Sequence, residues 1–230
     1  MSAEANRAIV RAFEVNVISS TTLMTNMPGF EEACELAHRH QLVGKIGLHL
    51  NLTAGYPLSD PIRRCSRLCD GRGIFRHRQT LFRLSKDEKL AVETEIAAQI
   101  KACLDHGLSL THMDSHHHIH TEWPIGAAAI TVARQYGIKA IRLSRNCGSG
   151  IDLVRRLYKL AYNTRLRMYG LAKTRYFGSS ADTQGILATR SGDVEVMVHL
   201  TSEGAEDFPD GGGDLGPEPW FATLQLASYG

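Results

Sequence analysis

Lys45-Ile46-Gly47-Leu48-His49-Leu50-Asn51-Leu52 alternates in character: Ile46, Leu48, Leu50 and Leu52 fall on one side of an extended chain, His49 and Asn51 on the other. A strand is predicted here, with a polar face where a sheet would otherwise show packing or water. Just upstream, Phe30, Cys34 and Ala37 share one helical face after Pro28-Gly29, predicting a helix over 30–38. Further back, the β-branched stretch 17–24 predicts a strand, and Ile9 and Phe13 with Ala5 and Ala12 predict a helix over 5–14. Residues 54–84 show no period and carry Pro57, Pro61, Gly71 and Gly73, so they read as a long excursion with a small hairpin around Ile74 and Phe75.

The alternation then resumes. Ser85-Lys86-Asp87-Glu88 is a capping box, and Leu90, Val92, Ile96, Ile100 and Leu104 continue its helix until Gly107. A strand over 108–114, a helix opened by Pro124 and ending near Gly137, a strand over 139–143, a helix over 153–169 and a last strand over 194–199 follow. Strands alternating with helices predict a parallel α/β sheet or barrel, with active-site residues at the carboxyl ends of strands. A single domain over 1–230 is expected.

Composition narrows the function classes. A chain of 230 residues, 43% hydrophobic and 22% charged, can bury one substantial core. A formal charge of +2, with Lys and Arg scattered, gives no reason to expect a nucleic-acid or membrane partner. With neither a basic leader nor a long apolar run, a cytoplasmic location is the expectation. The five cysteines lack paired spacing and are expected to be reduced bystanders.

The chemistry concentrates in Thr111-His112-Met113-Asp114-Ser115-His116-His117-His118-Ile119-His120. Imidazoles are the commonest protein ligands for zinc-like ions, and this run is internal and follows an apolar strand, so it points to a metal site. His49, on the polar side of its strand, can converge on the same ion. His199, after Val196-Met197-Val198, is either a third ligand or a general acid. Arg142 and Arg145 follow another strand and could orient a substrate oxygen. Gly148-Ser149-Gly150 is too short for a phosphate loop and lacks its lysine, which argues against nucleotide hydrolysis.

Three separated motifs, Gly47-Leu48-His49-Leu50-Asn51-Leu52-Thr53, the His-rich run above and Glu195-Val196-Met197-Val198-His199, resemble the YdjC/ChbG-like family of chito-oligosaccharide deacetylases. The resemblance implies a distorted (β/α) barrel of the polysaccharide-deacetylase type that removes acetyl groups from N-acetylated sugars. It implies a divalent ion, magnesium in the first place and zinc as the alternative, held by His49 and His116. It further implies His199 as proton donor to the leaving amine, with Asp114 and Arg145 beside the site. The expected partners are a small acetylated sugar or oligosaccharide and further copies of the chain in a homo-oligomer.

One departure stands out. Members of that family begin with a strand ending in Asp-Asp-Phe-Gly, which supplies a third ligand and the base, and this chain starts in what resembles the segment after it. The first barrel strand is therefore expected to be missing, with a start codon placed too far downstream as the favoured reason. A catalytically impaired metal- or sugar-binding remnant is the alternative function.

Overall fold

The computed structural model describes residues 2–148, 150–187, 191–199, 227 and 229. The strand predicted from alternation is β2 (Ile46–Leu50), the centre of a three-stranded parallel sheet between β1 (Thr21–Leu23) and β3 (Met113–Ser115). Leu23, Leu48 and Met113 lie level across it, as do His49 and Asp114. The expected strand at 139–143 is reduced to a single parallel bridge between Met113 and Ile141, closed by Met113 N–H to Ala140 O and Arg142 N–H to Met113 O, both 2.9 Å. Beyond it, β4 (Tyr176–Ser179) pairs in parallel with β5 (Val194–Met197). Ile141 N–H reaches Leu171 O and Asn146 N–H reaches Phe177 O, so backbone pairing passes from one sheet toward the other.

Parallel neighbours need crossovers, and helices supply them. Between β1 and β2 runs α2 (Phe30–Arg39), and between β2 and β3 run the short α3 (Asp60–Arg63) and the long α4 (Lys86–Asp105). After β3 come α5 (Trp123–Gln135) and α6 (Leu153–Met168), and α7 (Ser180–Leu187) joins β4 to β5. In front of β1 lies α1 (Ala3–Glu14). The core lies where α4 and α5 meet the sheet: Leu48, Met113, Val92, Ile96, Ile125 and Ala129 are fully buried. With both faces of β2 covered, Gly47 is buried as well as Leu48, which is usual for parallel strands. None of the described helices is long and apolar enough to cross a membrane.

Helix ends follow local chemistry. Ser85 accepts from Glu88 N–H at 3.2 Å while Glu88 takes Ser85 N–H at 2.7 Å, the predicted capping box. Pro124 sits in the first turn of α5, where no amide is needed. The inward face of α4 was only half visible: Val92, Ile96 and Ile100 are buried, but Leu90 and Leu104 are exposed, and Glu95 and Gln99 take inward positions. In the long excursion Cys69 and Phe75 form an antiparallel bridge, matching the expected hairpin. The described strands make an α/β fold of one three-stranded and one two-stranded parallel sheet; closure into a barrel is not among their contacts. The acidic Gly-rich stretch 210–214 lies outside the described residues.

Candidate functional site

At the carboxyl ends of β2 and β3 four charged or ionisable side chains form a line. His49 Nδ1 is 2.7 Å from Asp114 Oδ1, the other Asp114 oxygen pairs with Arg142 Nη1, and Arg142 Nε donates to Glu195 Oε1 at 2.5 Å. Register explains the first contact, because His49 and Asp114 are Cα partners on adjacent strands. Asp114 is 1% exposed, and burial alone would raise its pKa. The neighbouring Arg142 and His49 outweigh that and hold its carboxyl well below 3.8. Burial works against the Arg142 charge too, yet Asp114 and Glu195 raise its pKa above the ordinary value. An ionised carboxylate only accepts, so Nδ1 of His49 donates to it and the ring is oriented with Nε2 turned away from Asp114. Thr22 Oγ1, 3.1 Å from the same Nδ1, buttresses the ring from β1.

Immediately after β3 the chain makes a tight turn (His116–Thr121) in which His117 (φ 50, ψ 25) and His118 (φ 52, ψ 31) are left-handed. Neither is glycine, and such a backbone costs about 1–2 kcal/mol per residue, so the surroundings must hold it. They do: Thr121 Oγ1 donates to His118 O, Tyr162 Oη to His120 O and Tyr158 Oη to Thr121 O, at 2.7–2.8 Å. The turn sets the His116 ring 5.8 Å from that of His49, inclined at 64°. The His116 pKa is pushed down to about 4 by burial and by His117 and His49, leaving a neutral imidazole.

The His-rich run thus divides by role. Fully buried His120 donates from Nε2 to Arg142 O at 3.2 Å and accepts from Ser115 Oγ at 2.5 Å on Nδ1, so both ring nitrogens are used. His112 is buried too, its Nδ1 2.8 Å from Thr111 Oγ1 and its ring stacked 4.1 Å from Tyr229. The His118 ring packs toward Phe177. His116 and His49, whose rings face each other 5.8 Å apart, are the pair to which the family resemblance gives the ligand role. Two imidazoles, one oriented by a buried carboxylate, suit two positions around a zinc-like ion. Among the described residues no third His, Cys, Asp or Glu joins them to complete a metal-binding group.

Arg145, expected beside the site, pairs with Asp182 at 3.3 Å, and Arg142 lies next to Asp114. A charged residue inside Ala140-Ile141-Arg142-Leu143 was the sequence signal for that. His199 is exposed two residues beyond the end of β5, the strand tied to Arg142 through Glu195. Glu195, Thr22, Thr53, His77, Arg78 and Glu122 also belong to the surroundings and were not singled out in advance. Glu195 and Thr53 lie in the motifs quoted above.

Comparison with known proteins agrees with these motifs. The family model described as YdjC-like protein matches residues 1–214. A carbohydrate deacetylase of Brevibacillus brevis is 40% identical over 133 residues, 58% of this chain and 51% of that protein. One of Halalkalibacterium halodurans is 35% identical over 156 residues, covering 66% of this chain and 64% of its own length. The chain thus spans about half to two thirds of these relatives. Among solved structures, an Enterococcus faecalis protein described as a cellobiose-phosphate cleavage protein superposes with a TM-score of 0.66 at 24% identity, over 87% of this chain and 77% of its own, a likeness of fold. With the family model matched over residues 1–214, the chain belongs to the YdjC-like family.

Proposed function

We propose that the chain serves hydrolytic deacetylation of N-acetylated sugars, a C–N amide cleavage assisted by a divalent ion held by His49 and His116. The carrying observation is the pairing of His49 with buried, ionised Asp114, which orients the His49 ring beside that of His116 with Nε2 turned away from Asp114. Relatives named carbohydrate deacetylase support the reaction class. When bound, such an ion polarises the acetamide carbonyl and acidifies a water. Imidazole donors favour zinc over magnesium, which prefers oxygen ligands, so both metals belong in the test.

The residues of the chain have separate tasks. Asp114 orients His49 and is itself held by Arg142, and a carboxylate so strongly stabilised in its charged form is a poor proton acceptor at neutral pH. Its role is therefore orientation, and the base is supplied by another group. His199, at the open end of β5, donates a proton to the leaving amine. Arg145, paired with Asp182, orients the bound sugar. The sugar is of the chito-oligosaccharide type and the fold a distorted (β/α) barrel, as the family resemblance implies. A metal- or sugar-binding protein without turnover is the second reading, favoured by the hold of Arg142 on Asp114, which makes that carboxylate a poor base.

Acetate release from N,N′-diacetylchitobiose, with zinc, with magnesium and with chelator, separates these. Release that chelator abolishes and metal restores supports the deacetylase. Binding of sugar with no release in either metal supports the second reading, and release indifferent to chelator sinks the metal role.

A further inference from the structure

Residues 54–84 lie between β2 and α4, and two neighbouring side chains from them, His77 and Arg78, reach the His116–Thr121 turn. Arg78 Nη1 donates to His117 O at 2.8 Å, and its Nη2 donates to Glu122 Oε1 at 2.7 Å. Glu122 is 8% exposed and takes Leu81 N–H on its other oxygen at 3.1 Å. One guanidinium therefore spans the turn from its left-handed beginning to the residue that precedes α5. One carboxylate in turn fixes the excursion on both sides of its contact.

We propose that Arg78 is a positioning residue of the candidate site, which fixes the His116 ring by holding the His117 carbonyl; this rests on the reading of His116 as part of that site. The His117 ring lies 3.8 Å from the His116 ring and 4.6 Å from that of His77, and its Nδ1 is 3.1 Å from Thr53 Oγ1. His117 is thus gripped by its carbonyl through Arg78 and by its ring between His77 and His116. Rotating its peptide out of the left-handed region would swing the ring off His116. The carbonyls of His118, His120 and Thr121 are held by hydroxyls of the turn itself or of α6, so among the described residues Arg78 is the hydrogen-bonded tie between the turn and the excursion, beside the ring contact of His77. Arginine suits the task because its planar fork serves two acceptors in fixed directions, whereas an ammonium is a single point charge.

The test uses the full chain, with Arg78→Ala, Arg78→Lys and Glu122→Gln. Hydrogen exchange of residues 116–121 is compared with that of α4, and imidazole 15N spectra report His116. For Arg78→Ala we expect exchange in the turn to rise about tenfold or more, α4 to stay protected, and the His116 signal to move. Acetate release should fall about 10–100-fold in kcat with KM little changed, with partial recovery on adding guanidinium. Arg78→Lys and Glu122→Gln should fall between Arg78→Ala and the unchanged chain. An unchanged turn and His116 signal would overturn the proposal, as would loosening spread equally over α4. Because exchange and spectra need no turnover, a chain that never releases acetate fails the function proposed above while still deciding the role of Arg78.

Discussion

Gly47 and His112 face each other so closely that a Cβ on Gly47 would lie 2.6 Å from the His112 carbonyl oxygen and 2.7 Å from its Nδ1. Gly47→Ala is therefore expected to destabilise the fold by about 1–3 kcal/mol, read as a lower urea midpoint. Asp114→Asn removes the charge between His49 and Arg142 and leaves the arginine buried with one carboxylate instead of two. A loss of about 3–5 kcal/mol is expected, measured by urea unfolding at neutral pH. Burial pushes the pKa of His112 down to about 4 and that of His120 to about 3, against 6.5 unperturbed. Between those values the unfolded chain binds protons that the folded chain refuses, so stability is complete above pH 6.5 and falls as pH drops toward 4. Thermal melts at stepped pH check this, and a melting temperature that stayed flat from pH 7 to 4 would contradict it.

At the scale of elements, α4 does more than cover the sheet. Glu95, fully buried, accepts from Leu58 N–H at 3.0 Å, from Ser59 N–H at 2.7 Å and from Gln99 Nε2 at 2.8 Å. Gln99 in turn both donates to Asn51 O and accepts from Asn51 N–H, securing the exit of β2. Glu95→Ala strands those donors, at about 1–3 kcal/mol for each one left unsatisfied. Faster hydrogen exchange at 58 and 59 should accompany the loss. This network also explains what the sequence concealed. The periodicity of Leu90 to Leu104 marked a helix correctly, but apolar spacing cannot announce that a glutamate faces inward, since its partners are loop amides that any sequence carries. The capping box and Pro124 were legible because their chemistry is local. The missed β4 and the short bridge at Ile141 were not, because their pairing depends on residues distant in the chain.

Across the whole molecule the same division holds for the site. His49, Asp114 and His116 stood out as residue types in a pattern, whereas Arg78 and Glu122 are ordinary residues made relevant by proximity alone. All five cysteines are free and buried. Burial pushes the Cys34 thiol up to about 11 and those of Cys69 and Cys103 to about 12. The folded chain should thus react little with a thiol reagent at pH 8, and all five thiols should titrate in denaturant. Arg142 has a consequence that belongs to synthesis. Its two carboxylate partners are Asp114, made before it, and Glu195, made long after. On the ribosome the guanidinium first meets a single counter-charge, and the line from His49 to Glu195 is finished only when β5 emerges, so the site stays electrostatically incomplete while residues 143–193 are being made.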